Sequence, residues 1–392
     1  MKKWLTICLA IVALAACKKE TPPPAAIVNP QDDSLQLNQI QIIASHNSYH
    51  RHTDSTVFSY LQLLKSNLPP QYDPDELDYE HPPIEEQFDL YHVRGLEIDI
   101  YNDPKGGAFY YRKINELFRI DPISHIYPLL LPGFKVLHIK DVDYNSHFNT
   151  FHDALVTIKQ WSDGHPGHLP LFINVESKQD GPSENAQLAS LGFKPAPPYD
   201  AAAADALDQE IKLVFGSDLN GVLTPDKVRQ GAATLNEIAV NHRWPKLRDC
   251  RGKVIFIMQG NAVSYYLNGH PSLQGRAMFV YGKPGNPETA FVILNDPTSD
   301  FAAIQQQVQQ GYIVRTRSDA GTWQARNGDY TDMNNAFASG AQITSTDYER
   351  PDPRAGSSSV WTNYQVQLPD NAVGRKNVLN ASSVRVQENL LE

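Results

Sequence analysis

Short, β-rich apolar runs ending in polar residues recur along this chain, separated by stretches with apolar side chains at helical spacing. The runs cover residues 41–46, 95–100, 136–140, 171–176, 254–258, 291–294, 313–316 and 342–345, and residues 277–281 are a further candidate. Helical patterns occupy residues 84–91, 151–161, 204–214 and 301–308, the last closing at Gly311, a C-cap residue. Strands alternating with helices over this length predict parallel βα units, and eight or nine strands favour a closed TIM-type (β/α)8 barrel over an open sheet. On that count, either 277–281 or 291–294 falls outside the barrel. No repeat of about 20–50 residues is present, which disfavours solenoids and propellers.

Two stretches interrupt the rhythm. Residues 51–83, rich in Pro, Tyr and acidic side chains, follow the first run, and residues 179–249 follow the fourth. Loops after barrel strands build the functional face, so both are expected to wall a cleft. Residues 349–392 are either a return across the barrel or a loose end.

The N-terminus sets the expected compartment. Lys2 and Lys3 precede an apolar run that ends Leu14-Ala15-Ala16-Cys17. It is too short to span a bilayer, which needs about 20 apolar residues, but it suits a secretory signal. The ending resembles a bacterial lipobox, which implies cleavage after residue 16 and lipidation of Cys17. The organisation expected is therefore a signal at 1–16, a lipid-anchored tether at 17–37 and one catalytic domain at 38–392, in an exported lipoprotein of the cell envelope. Cys250 is then the only unmodified thiol, so stability must come from a core. The formal charge is −10, which argues against a nucleic-acid partner and against polybasic adhesion to anionic membranes.

Polar residues at the ends of the first four runs carry the candidate chemistry. The first ends His46-Asn47, the second carries Glu97 and Asp99, the third His138, and the fourth ends Glu176-Ser177-Lys178. Residues i and i+2 of a strand share a face, so Glu97 and Asp99 both aim inward. Two carboxylates on one inner face repel unless a cation lies between them. Glu176 and the Asn47 amide oxygen would complete an all-oxygen shell, which suits one calcium ion better than magnesium or zinc. His46 and His138 are left as general acid and base. Each residue alone has a bland explanation, but four successive runs delivering such groups at the same end do not, because burying them unpaired is costly.

The segments 45–49, 94–99, 136–138 and 174–178 resemble the calcium-dependent phosphatidylinositol-specific phospholipases C, the bacterial branch in particular. The likeness runs over residues 38–348, including the segment at 82–87, Trp244-Pro245 and residues 312–320 around Arg315 and Asp319. It implies calcium ligands at Asn47, Glu97, Asp99 and Glu176, catalytic histidines at 46 and 138, and a head-group contact at Lys178. Arg315 and Asp319 are carried as substrate-binding candidates. The implied substrate is an inositol phospholipid, cleaved to diacylglycerol and a cyclic inositol phosphate. Two rivals remain: a glycerophosphodiester phosphodiesterase, which normally has arginine where this chain has Asn47, and a non-catalytic lipoprotein that binds a sugar phosphate.

Overall fold

The computed structural model describes residues 30–68, 72–357, 359–390 and 392. The expected signal, Cys17 and most of the tether lie outside the described residues. Eleven strands are present among the described residues: β1 (Ile40–Ser45), β2 (Gly95–Tyr101), β3 (Lys135–Val136), β4 (Leu171–Lys178), β5 (Val254–Gly260), β6 (Phe279–Val280), β7 (Phe291–Ile293), β8 (Ile313–Arg317), β9 (Ile343–Thr346), β10 (Gly374–Lys376) and β11 (Asn389–Leu390). Eight of them run parallel in the order β6-β5-β4-β2-β1-β9-β8-β7. A bridge from Tyr281 to Phe291 brings β6 beside β7 and nearly closes the ring. The fold is the TIM-type barrel expected from the alternation.

The strand count needs correcting at two places. Residues 277–281 and 291–294 both contribute barrel strands. The run at 136–140 does not. Only Lys135–Val136 is strand, and it pairs antiparallel with the far end of β2, Val136 facing Ile100. The backbone then turns back so that Ile139 bridges Asp143. His138 therefore stands on a loop above the barrel rather than on a barrel strand.

Alternation along β2 packs Leu96, Ile98 and Ile100 into the main core and turns Glu97 and Asp99 inward. The neighbouring helix Phe151–Gly164 starts at Thr150, whose hydroxyl accepts from the Asp153 amide at 3.1 Å. Its Phe151, Ala154, Leu155, Ile158 and Trp161 bury one face against the sheet. Gly95 opens β2 because β1 approaches closely there. A Cβ at that position would lie 2.6 Å from the Ala44 Cβ.

The C-terminal segment is a return across the barrel. Tyr364, Val366 and Leu368 are buried against Ile43 and Phe337. β10 then pairs antiparallel with the first residues of β1, Ile40 opposite Lys376. Glu392 forms an ion pair with the buried Arg94 and accepts from the Leu169 amide at 2.6 Å. The entering chain lies at this same end, where Leu37 donates to the Pro245 carbonyl at 3.0 Å and Asp32 pairs with Arg251. The N-terminal mouth of the barrel is thus covered by both ends of the domain, and the loops after the strands crown the other mouth.

Candidate active site

Strand register sets the first layer of the site. Asp99 lies opposite Glu176, and Glu176 lies opposite Gln259, so three adjacent strands present these side chains at one level. The carboxylates of Glu97, Asp99 and Glu176 each place an oxygen within 4.8 Å of the others. Gln259 spans two of them, donating to Glu97 at 3.1 Å and to Glu176 at 2.9 Å. The Arg315 guanidinium pairs with Glu97, and the Lys178 ammonium lies 3.2 Å from Asp99. Glu176 has no cationic partner among the described residues. Burial, with repulsion from Glu176, pushes the Glu97 carboxyl up to about 7 although Arg315 opposes it. Asp99 is likewise raised, by burial foremost and by its two acidic neighbours.

Ionised together, the three carboxylates exceed their two cations by one negative charge in a buried pocket, and Glu97 and Asp99 accordingly hold protons more tightly than usual. Asn47 faces it. At the end of β1 the backbone turns through a left-handed Asn47 at φ 47°, a conformation Asn tolerates better than most residues. The turn is held by the His50 amide on the Asn47 carbonyl at 2.7 Å. Ser48 fastens it to β2, its amide donating to the Glu97 carbonyl at 2.9 Å and its hydroxyl accepting from the Glu97 amide at 2.8 Å. In one orientation the Asn47 amide nitrogen donates to the Tyr79 hydroxyl at 2.9 Å and its oxygen faces Asp99. Turned over, the nitrogen donates to both Asp99 oxygens at 3.3 Å and the oxygen accepts from Tyr79. The first orientation sets oxygen against oxygen and needs a cation or a proton on Asp99 between them. The oxygen donor set and its residual charge fit calcium.

Two histidine–carboxylate pairs flank this cluster. His46 Nδ1 lies 2.7 Å from Asp347, and its Nε2 is 4.0 Å from Glu97 and 3.3 Å from the Arg317 guanidinium. Burial and Arg317 pull the His46 imidazole down to about 3 against the opposing Asp347. His138 Nδ1 lies 2.8 Å from Asp143; burial and Lys178 lower its pKa although Asp143 resists. In each pair the ionised carboxylate accepts a hydrogen bond from Nδ1–H, which leaves Nε2 as the working nitrogen.

Asp143, Asp347, Arg317, Gln259 and Tyr79 were not marked by the sequence. Parity along β8 could have flagged Arg317, which shares the inward face with Arg315, but both aspartates sit in loops without a pattern of their own. Lys178 stands beside Asp99 at the mouth. Arg315 and Asp319, expected at the substrate, lie deeper. Arg315 is 2% exposed and held by Glu97, with the Ser345 hydroxyl at 3.1 Å. Asp319 is 1% exposed and accepts from the Thr346 hydroxyl at 2.6 Å and the Asp347 amide at 2.8 Å, so it braces the carboxylate that holds His46.

An acid-lined pocket between two imidazole–carboxylate pairs, at the C-terminal mouth of a parallel barrel, defines a phosphodiesterase of the α/β-barrel class. The chain belongs to the calcium-dependent phosphoinositide phospholipase C family, whose model matches residues 35–378. Among solved structures it is similar to the calcium-dependent phosphoinositol-specific phospholipase C of a Gram-negative Pseudomonas, at 16% identity and TM-score 0.52 over 89% of this chain and 98% of that one. The myoinositol complex of that enzyme matches over the same shares with TM-score 0.51. The calcium-dependent enzyme of Streptomyces antibioticus matches at 14% identity and TM-score 0.47, over 80% of this chain and 95% of that one. No curated protein is significantly similar to the chain.

Proposed function

We propose that the enzyme cleaves phosphatidylinositol, or a closely related inositol phospholipid, in a calcium-dependent reaction that releases diacylglycerol and a cyclic inositol phosphate. The observation that carries this reading is the single uncompensated charge beside Asn47. A dication there reverses the local charge from minus one to plus one, and one phosphodiester anion then cancels it. Glu97, Asp99, Glu176 and the Asn47 oxygen would hold the ion, which when bound neutralises a phosphoryl oxygen and lowers the pKa of a hydroxyl it touches.

The remaining steps belong to the chain's own side chains. The inositol 2-hydroxyl oxygen bonds to phosphorus and passes its proton to a carboxylate of the cluster. The bond from phosphorus to the glycerol oxygen breaks, and that oxygen takes the Nε2 proton of a histidine in its imidazolium form, whose charge the paired carboxylate stabilises and which returns to neutral imidazole. His138 suits this last role, since no group among the described residues is hydrogen-bonded to its Nε2. Arg317, and His46 when its Nε2 carries a proton, suit stabilisation of the phosphoryl oxygens. Lys178 is placed to meet the head group.

An intact lipid substrate is supported by the surface around the mouth. Helix Ser55–Leu64 in the 51–83 insertion buries Val57 and Leu61 against Ile114 of the short helix Lys113–Leu117 and against Phe193. Its outer side leaves Leu63 77% exposed and contains no acidic residue, in a chain of net charge −10. Tyr127, on the loop after β2, is 67% exposed. Such side chains suit contact with a bilayer. Leu63→Asp is expected to lower turnover on phosphatidylinositol vesicles about tenfold, the loss of one buried leucine being worth roughly 1.5–3 kcal/mol. Turnover on a monomeric short-chain analogue should not change. Equal losses on both substrates would contradict the assigned contact.

The deciding assay gives the enzyme phosphatidylinositol and its deacylated glycerol derivative, with and without a calcium chelator, and follows the cyclic phosphate. Chelator-resistant turnover, or preference for the deacylated compound, would overturn the reading. We also propose that lipidated Cys17 anchors the enzyme in the cell envelope, supported by the Leu14-Ala15-Ala16-Cys17 ending. Cys17→Ala should move the protein from the membrane to the soluble fraction, and unchanged fractionation would remove the anchor from the account.

A further inference from the structure

We infer that His50 is a positioning residue for the reaction, fixing the Asp143–His138 pair from behind. His50 Nε2 lies 2.7 Å from Asp143 Oδ2, the same oxygen that His138 Nδ1 approaches at 2.8 Å. The other oxygen accepts from the Thr53 hydroxyl at 2.8 Å. A carboxylate oxygen only accepts, so both imidazoles must present N–H to it. Three donors from three directions leave Asp143 no freedom to rotate, and this in turn fixes the His138 tautomer with Nε2 turned to the cleft.

The placement of His50 is itself constrained. Its ring is fully buried, stacks on Tyr79 at 4.3 Å and meets His138 edge-on at 5.7 Å. The Tyr79 hydroxyl bonds to the Asn47 amide. One plate of two stacked rings thus touches both the proposed acid and the proposed metal ligand, and sets their separation. Neither ring reaches the cluster of carboxylates, so the role is orientation and not contact with reacting atoms. Misplacement of a reacting group by about 1 Å can cost around a hundredfold in rate.

The test compares His50→Phe, which keeps the stacked ring but has no N–H, with His50→Gln, whose amide can donate to Asp143. Both are assayed on whichever substrate of the preceding section the parent cleaves. A wrong substrate assignment then shows in the parent, and a wrong role for His50 only in the variants. His50→Phe is expected to lower kcat between about tenfold and a hundredfold, with KM and calcium affinity unchanged, and His50→Gln to recover most of the loss. A kcat within twofold of the parent in the folded Phe variant overturns the inference. So does a Gln variant of normal thermal stability that is as slow as Phe. If His50→Phe does not fold, His50→Asn, whose shorter amide stops short of Asp143, takes its place under the same criteria.

Discussion

Replacing His138 by alanine is expected to lower turnover about 10²- to 10⁴-fold, the usual contribution of a positioned acid or base, and to leave calcium binding intact. The separation of effects follows from the geometry. His138 stands on the loop after β3 and bonds to Asp143 at 2.8 Å, whereas the carboxylates that would hold the ion project from β2 and β4. Asp143→Asn should reproduce most of the defect, because a neutral amide does not stabilise the imidazolium that has to form before Nε2 can give up a proton. Calcium titrations and single-turnover rates on the same preparations separate the two quantities. Turnover of His138→Ala within a few-fold of the parent would remove it from the mechanism, and a large loss of calcium affinity would mean that it acts through the metal site.

Glu176→Gln is expected to abolish the response to calcium without weakening the calcium-free protein. Glu97 and Asp99 each have an ion-pair partner, Arg315 and Lys178, while Glu176 has none among the described residues and accepts from the Gln259 amide. The substitution therefore removes the charge that the fold leaves uncompensated, and a Gln oxygen can still accept from Gln259. Outer partners of metal ligands alone are worth about 10- to 100-fold in affinity, so loss of a direct ligand should exceed about 100-fold. At a calcium concentration one hundred times its Kd, bound ion stabilises the parent by about 2.7 kcal/mol. The variant should gain only about 0.4 kcal/mol or less at that concentration. Thermal unfolding with and without calcium reads both halves. A calcium-free variant clearly less stable than the parent, or one that still gains the parent's increment, would contradict the charge assignment.

The barrel was legible because parallel strands buried on both sides announce themselves as apolar runs, and because polar residues interrupt those runs at one end. Glu97, Asp99 and Glu176 belong to long strands with seven and eight residues, where inward and outward alternation can be read directly. The segment around His138 misled for the same reason. Residues 136–140 alternate like a strand, but only two residues of β3 pair, antiparallel, and the next turn reverses the chain. Counting it as a barrel strand forced either 277–281 or 291–294 out. The second layer of the site was illegible for a different reason. Asp347 lies 301 residues from His46, and Arg315 meets Glu97 across the barrel. Such pairings exist only once the ring of strands closes. Asp143 lies five residues from His138, but without the hairpin between them nothing separates it from a surface acid.

Both ends of the domain gather at the mouth opposite the catalytic one, and this bears on what a moored enzyme can reach. From Cys17 to Pro30, where the described chain begins, there are thirteen peptide units, at most about 45 Å when fully drawn out. A domain of this size is itself about 50 Å across. A lipid on Cys17 would hold the molecule by its base with the cleft pointing outward, too short a leash to turn it over. If the proposed anchor and substrate both hold, the phospholipids cleaved would lie in a facing bilayer, and the anchoring leaflet would be spared.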